Sequence, residues 1–161
     1  RRITRRDENT MSTGDSQKLF ELMKQKHTCL TRLRDLGIAQ DRLIDDGDIN
    51  HLLQVLGTKQ QVLSALQTIE RQLDPFRDQD PDRRQWSTID DRRRCAELVT
   101  DCEGILAQII KQERASEHRL SHRRDLVAAR LQGAHDASRT RGAYTAPAAT
   151  QASHIDLSTS E

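Results

Sequence analysis

His118 and His122 stand four residues apart, the spacing that lets two imidazoles on one helix face approach a single metal ion. Glu113 and Glu117 fall near the same turn. A structural zinc site needs four convergent ligands, and none of the usual Cys/His spacings occurs, so these residues read as a solvated polar face and no metal is expected. Asp45, Asp46 and Asp48 suggest a cation loop, but the ligand series of a calcium loop continues to a Glu at the twelfth position, and none stands there. Capping of helix ends explains them better. Arg92-Arg93-Arg94 and Arg123-Arg124 are basic clusters, and residues 111–131 hold six Lys/Arg against three acids, a local +3. Such a patch suits phosphates or an acidic partner. Asp90-Asp91 beside the first cluster and the lack of an aromatic platform argue against nucleic acid. There is no glycine-rich phosphate loop and no nucleophile motif on a strand turn, so neither an enzyme nor a cofactor is expected.

The elements that must position these residues are helices. The chain has 161 residues, 32% of them charged and only 2% aromatic, with a net charge of +1. One Trp, one Tyr and two Phe cannot fill a deep globular core, whereas narrow Leu/Ile seams between helices can do without them. No run of alternating β-branched residues with hairpin turns occurs. The expected fold is all-α: an elongated antiparallel up-and-down bundle of three long helices, the third either continuous or broken to give a fourth. Cys29, Cys95 and Cys102 lie inside helical patterns and read as small buried hydrophobes of a reducing cytosol. No stretch approaches the roughly 20 apolar residues of a membrane span, so no membrane insertion is expected. Arg1-Arg2-Ile3-Thr4-Arg5-Arg6 has the charge of an export signal but no apolar segment after it, and Met11 is a candidate start.

Residues 1–14 are polar and unpatterned, and are expected to be disordered. Asp15 or Ser16 suits the cap of a first helix over about 16–45. Asp46-Gly47-Asp48 ends it, with Gly47 suited to the left-handed position and Asp48 to the next cap. A second helix over 49–73 carries Ile49, Leu52, Leu56, Leu63, Leu66 and Leu73 on one seven-residue repeat, interrupted by Lys59 and Glu70. Asp74-Pro75 is expected to stop it. Residues 74–87 read as a loop, with Phe76 and Trp86 folding back as lids on the bundle end. Ser87-Thr88-Ile89-Asp90-Asp91 caps a third helix over about 88–137, and residues 138–161 read as a flexible tail. The third helix outruns the other two in length. Its end, around Leu120, Leu126, Val127 and Leu131, either lacks an intramolecular partner and is a docking stripe, or folds back as core.

The order of these features resembles the FlgN-type flagellar export chaperones. It rests on the Leu-rich first helix, the Asp46-Gly47-Asp48 break and the helix reading Ile49-x-x-Leu52-Leu53-x-x-Leu56-x-x-Lys59-Gln60-x-x-Leu63-x-x-Leu66. A long third helix and Arg141-Gly142-Ala143-Tyr144 in an Ala/Thr-rich end complete it. Val62-Leu63 stands where the family has paired leucines. The resemblance implies a small cytoplasmic helical-bundle protein that binds flagellar hook-associated subunits, prevents their premature assembly and delivers them to the flagellar type III export apparatus. It implies cargo contact in the C-terminal helical part, which here falls on Leu120, Leu126, Val127 and Leu131. Arg119, Arg123, Arg124 and Arg130 would steer an acidic cargo. The competing expectation is a structural coiled-coil protein that self-associates with no export role. The sequence leaves open monomer or homodimer, and which cargo.

Overall fold

The computed structural model describes residues 12–145, which form three α-helices with no strand among them. The expectations for residues 1–11 and 146–161 lie outside the described residues. Helix α1 spans Thr13–Asp46, α2 Ile49–Arg77 and α3 Ile89–Thr145, with a single 3-10 turn at Pro81–Arg83 between the last two. The chain divides into two compact units, one ending at Leu120 and the other beginning at Ser121.

In the first unit each helix end follows from local hydrogen bonding. Ser12, rather than Asp15 or Ser16, caps α1: its Oγ accepts from Asp15 N at 3.3 Å while the Asp15 carboxylate accepts from Ser12 N at 3.1 Å. Ser16 is thereby inside the helix and buried. Gly47 takes the left-handed conformation at φ 73°, and the Gly47 and Asp48 amides donate to the Ile44 and Leu43 carbonyls. Asp48 caps α2 by accepting from His51 N at 3.2 Å, and its other oxygen meets His51 Nδ1 at 2.5 Å. The ring and backbone hydrogen bonds of His51 hold the Asp48 carboxyl below the usual carboxylate range. Thr88 Oγ1 accepts from Asp91 N at 3.0 Å at the start of α3, where Asp90 and Asp91 complement the helix dipole.

Helix α1 begins at Thr13, so residues 13 and 14 are helical rather than part of the disordered segment expected over 1–14, and two further boundaries differ from the sequence expectation. Helix α2 runs through Asp74-Pro75 to Arg77. The missing proline amide is tolerated because the extra turn buries Phe76, and Arg84 Nη2 donates to the Phe76 carbonyl at 2.7 Å. Phe76 is therefore core on a helix rather than a loop lid, with Trp86 packed against the same cluster. Helix α3 neither breaks after Ile110 nor stops at residue 137. Residues 111–119 hold no helix breaker, and 138–145 continue the helix instead of beginning a tail.

The core is one cluster of Leu19, Phe20, Leu22, Met23, Leu30 and Leu33 from α1, Val62, Ile69, Leu73 and Phe76 from α2, and Cys95, Cys102 and Ile105 from α3. The α2 seam is rotated from the expected repeat. Leu52, Lys59, Val62, Ile69, Leu73 and Phe76 are buried, whereas Ile49, Leu53, Leu56 and Leu63 stay exposed. Gly37 marks a close approach of α1 to α3, since a Cβ there would overlap the Gln112 carboxamide.

Candidate functional site

The expected cargo residues lie on α3 in two settings. Arg119 and Leu120 close the first unit. Arg119 is committed to α1, with its Nη2 on Asp41 at 2.9 Å and its Nη1 on Asp45 at 3.4 Å. That pairing gives it a bundle role beside any steering of cargo. Leu120 is 36% exposed.

The second unit is described over residues 121–145, all helical, and every side chain from 122 onward is exposed. Leu126, Val127 and Leu131 are 46%, 53% and 67% exposed. At about 100° of rotation per residue, Val127 and Leu131 lie on one face, and Leu126 is turned about 100° from Val127. The same arithmetic continues the Val127–Leu131 stripe through Ala134 and Ser138. Arg124 falls on one flank of that stripe, and Arg123 and Arg130 on the other. Arg124 also meets Asp125 at 3.3 Å. Over 121–145, Arg123, Arg124, Arg130, Arg139 and Arg141 stand against Asp125 and Asp136, a net +3. An apolar stripe edged by guanidinium groups matches an amphipathic helix with acidic flanks.

His118 and His122 are exposed, and the described residues contain no group of three or more His, Cys, Asp or Glu placed to hold a metal ion. The Asp45–Asp48 cluster resolves into a helix stop and a cap. In the first unit, a cavity of about 300 Å³ is lined by Leu19, Met23, Leu73, Phe76, Val99 and Leu106, with the Cys95 and Cys102 thiols and Lys26, Arg77, Arg84 and Glu103 among its walls. Burial pushes both thiols above their ordinary range, which leaves them neutral and poor nucleophiles at pH 7.

The sequence reading missed a polar layer in the first unit. Lys59, only 8% exposed, donates its Nζ to Gln40 Oε1 at 2.7 Å and to the Glu113 carboxylate, so one amine joins all three helices. Buried Ser116 donates to Asp41, the residue that also holds Arg119. The signal was present as the lysine interrupting the α2 repeat, but its partners lie 19 and 54 residues away and no local spacing points to them.

None of the helices in the described residues is long and apolar enough to cross a membrane. No curated protein and no solved structure matches this chain. The family model described as FlgN protein matches residues 11–152, which is most of the sequence, so the chain belongs to the FlgN family of flagellar export chaperones.

Proposed function

We propose that this chain is a cytoplasmic chaperone for flagellar hook-associated subunits of the hook–filament junction. It holds them in a form that cannot assemble and hands them to the flagellar type III export apparatus. The observation that carries the reading is the exposed Val127–Leu131 stripe, flanked by arginines, on a helix whose every side chain from residue 122 onward is open to solvent. An amphipathic cargo helix laid on that stripe would cover the apolar face through which subunits join one another. Within the second unit Leu126 extends the contact at one edge, and Arg123, Arg124 and Arg130 orient an acidic flank.

The test is co-purification of the full chain with each hook-associated subunit of its own organism, alongside Val127→Asp/Leu131→Asp. The expected result is capture of a subunit by the parent and not by the double variant, with equal helicity by circular dichroism. Capture by both, or of no flagellar subunit by either, overturns the reading. Sedimentation of the cargo-free chain addresses the competing occupant, a second copy. A stable dimer at micromolar concentration that Val127→Asp/Leu131→Asp dissociates would make self-association the better account of the stripe.

A further inference from the structure

The interface between α3 and the α1–α2 pair changes character along its length. From Cys95 to Ile109 it is apolar: Cys95, Cys102 and Ile105 are buried in the main cluster, and Leu98 and Ile109 pack against it. Beyond Ile109 the only buried α3 side chain in the first unit is Ser116. The contacts there are Gln112 against Gly37, Glu113 with Lys59, Ser116 with Asp41, and Arg119 with Asp41 and Asp45. Ile110 and Leu120, the large aliphatic side chains of that stretch, are exposed.

From this we infer that the polar layer is a salt-sensitive clasp: residues 112–120 of α3 are fastened to α1 and α2 by ionic and hydrogen-bonding groups, and let go as a unit before residues 95–109 do. The physical reason is a difference in what release costs. Separating the 95–109 interface returns apolar surface to water, a cost that NaCl does not relieve. Separating the polar layer returns charges and amides to water that solvates them, so the attraction lost is largely offset by hydration gained. The outer members are reached by salt, since the Glu113, Arg119 and Asp45 side chains are partly or largely exposed. Screening shortens the reach of their attraction from about 10 Å at 0.1 M to about 3 Å at 1 M ionic strength. Lys59 and Gln40 sit deeper and set the register, because an amine that finds both Gln40 and Glu113 fits only one alignment of three helices. Once unfastened, residues 112–120 lose the packing that protects their turns of α3, and a solvated stretch of helix opens more often than a packed one, so release is visible as faster amide exchange.

Hydrogen exchange on the full chain, followed peptide by peptide at low and high NaCl, tests the clasp. Amides of 112–120 are expected to exchange at least about tenfold faster than those of 98–109. Raising NaCl from about 0.05 M to about 0.5 M is expected to speed 112–120 severalfold and leave 98–109 within about twofold. Asp41→Asn/Arg119→Gln is expected to speed 112–120 at low salt and to abolish most of its salt response, while Lys59→Met/Gln40→Leu, which makes only the inner α1–α2 part of the layer apolar, leaves the salt response of the Asp41–Arg119 part in place. Exchange of the two segments at one common rate at both salt concentrations overturns the proposal, as does a salt response of equal size in both. The parent protein alone decides between these outcomes, so a variant that fails to fold leaves the test intact.

Discussion

Lys59 Nζ on α2 donates to Gln40 Oε1 on α1 at 2.7 Å, from a helix position where seven-residue spacing calls for an apolar side chain. Removing only the amide leaves the ammonium with one partner fewer in a site closed to water, so Gln40→Leu should lower stability by about 1–3 kcal/mol. Adding Lys59→Met removes the charge as well and should recover most of that loss, because an apolar pair of similar volume does as well as a buried polar one. Urea unfolding of the parent, the single and the double variant is the measurement. A Gln40→Leu protein as stable as the parent would show that the amine is already satisfied without the amide.

The α2 seam separates two sets of leucines that the sequence treats alike. Ile69, buried among α1 and α3 side chains, should cost about 2–4 kcal/mol on truncation to Ala. Leu56, 39% exposed, should cost less than about 1 kcal/mol. Equal losses in thermal or urea denaturation would place both in one seam and contradict this packing.

The same residues explain what the sequence could and could not tell. Positions 52, 59, 66 and 73 form a column that two overlapping stripes share. One adds 49, 56 and 63; the other adds 62, 69 and 76. The spacing of α2 marks an amphipathic helix but leaves both stripes open, and the leucine-rich one reads as the core. The choice falls to the side where α1 and α3 lie, a tertiary fact that rewards Val62, Ile69 and Phe76. The break at Gly47 and the caps at Asp48 and Thr88 were legible because they are written within four residues. The continuation of α2 past Pro75 was not, since its reward is burial of Phe76 and a hydrogen bond from Arg84.

Cys95 and Cys102 give a pH dependence with a definite sign. Burial raises both thiols above the ordinary value of 9.0, so the folded state favours the protonated form more than the unfolded chain does. Their contribution to stability is complete below that ordinary value and is lost as pH rises from it toward the folded-state values. Thermal unfolding should therefore move to lower temperature above about pH 9 by more in the parent than in Cys95→Ala/Cys102→Ala, each measured against its own value at pH 8. Alkylation at pH 7.5 should label the partly exposed Cys29 before either buried thiol. Labelling of all three at one rate would mean that the cluster opens readily.

Leu126 and Leu131 test how the exposed helix is read by a partner. The chain's spacing marks both as large apolar residues near the end of α3, and both are exposed. Rotation along the helix sets them apart: Leu131 shares a face with Val127, while Leu126 is turned about 100° from Val127. A single amphipathic helix covers one face, so the two positions cannot count equally. With a captured hook-associated subunit as ligand, Leu131→Ser should weaken binding by about tenfold or more, the scale of losing a buried leucine from an interface, and Leu126→Ser by less than about threefold. Circular dichroism should be unchanged in both, because neither side chain is part of a core. Titration calorimetry gives the ratio directly. If Leu126→Ser is the more damaging, the partner grips the flank that carries Leu126, and Arg123 and Arg130 orient it without Arg124.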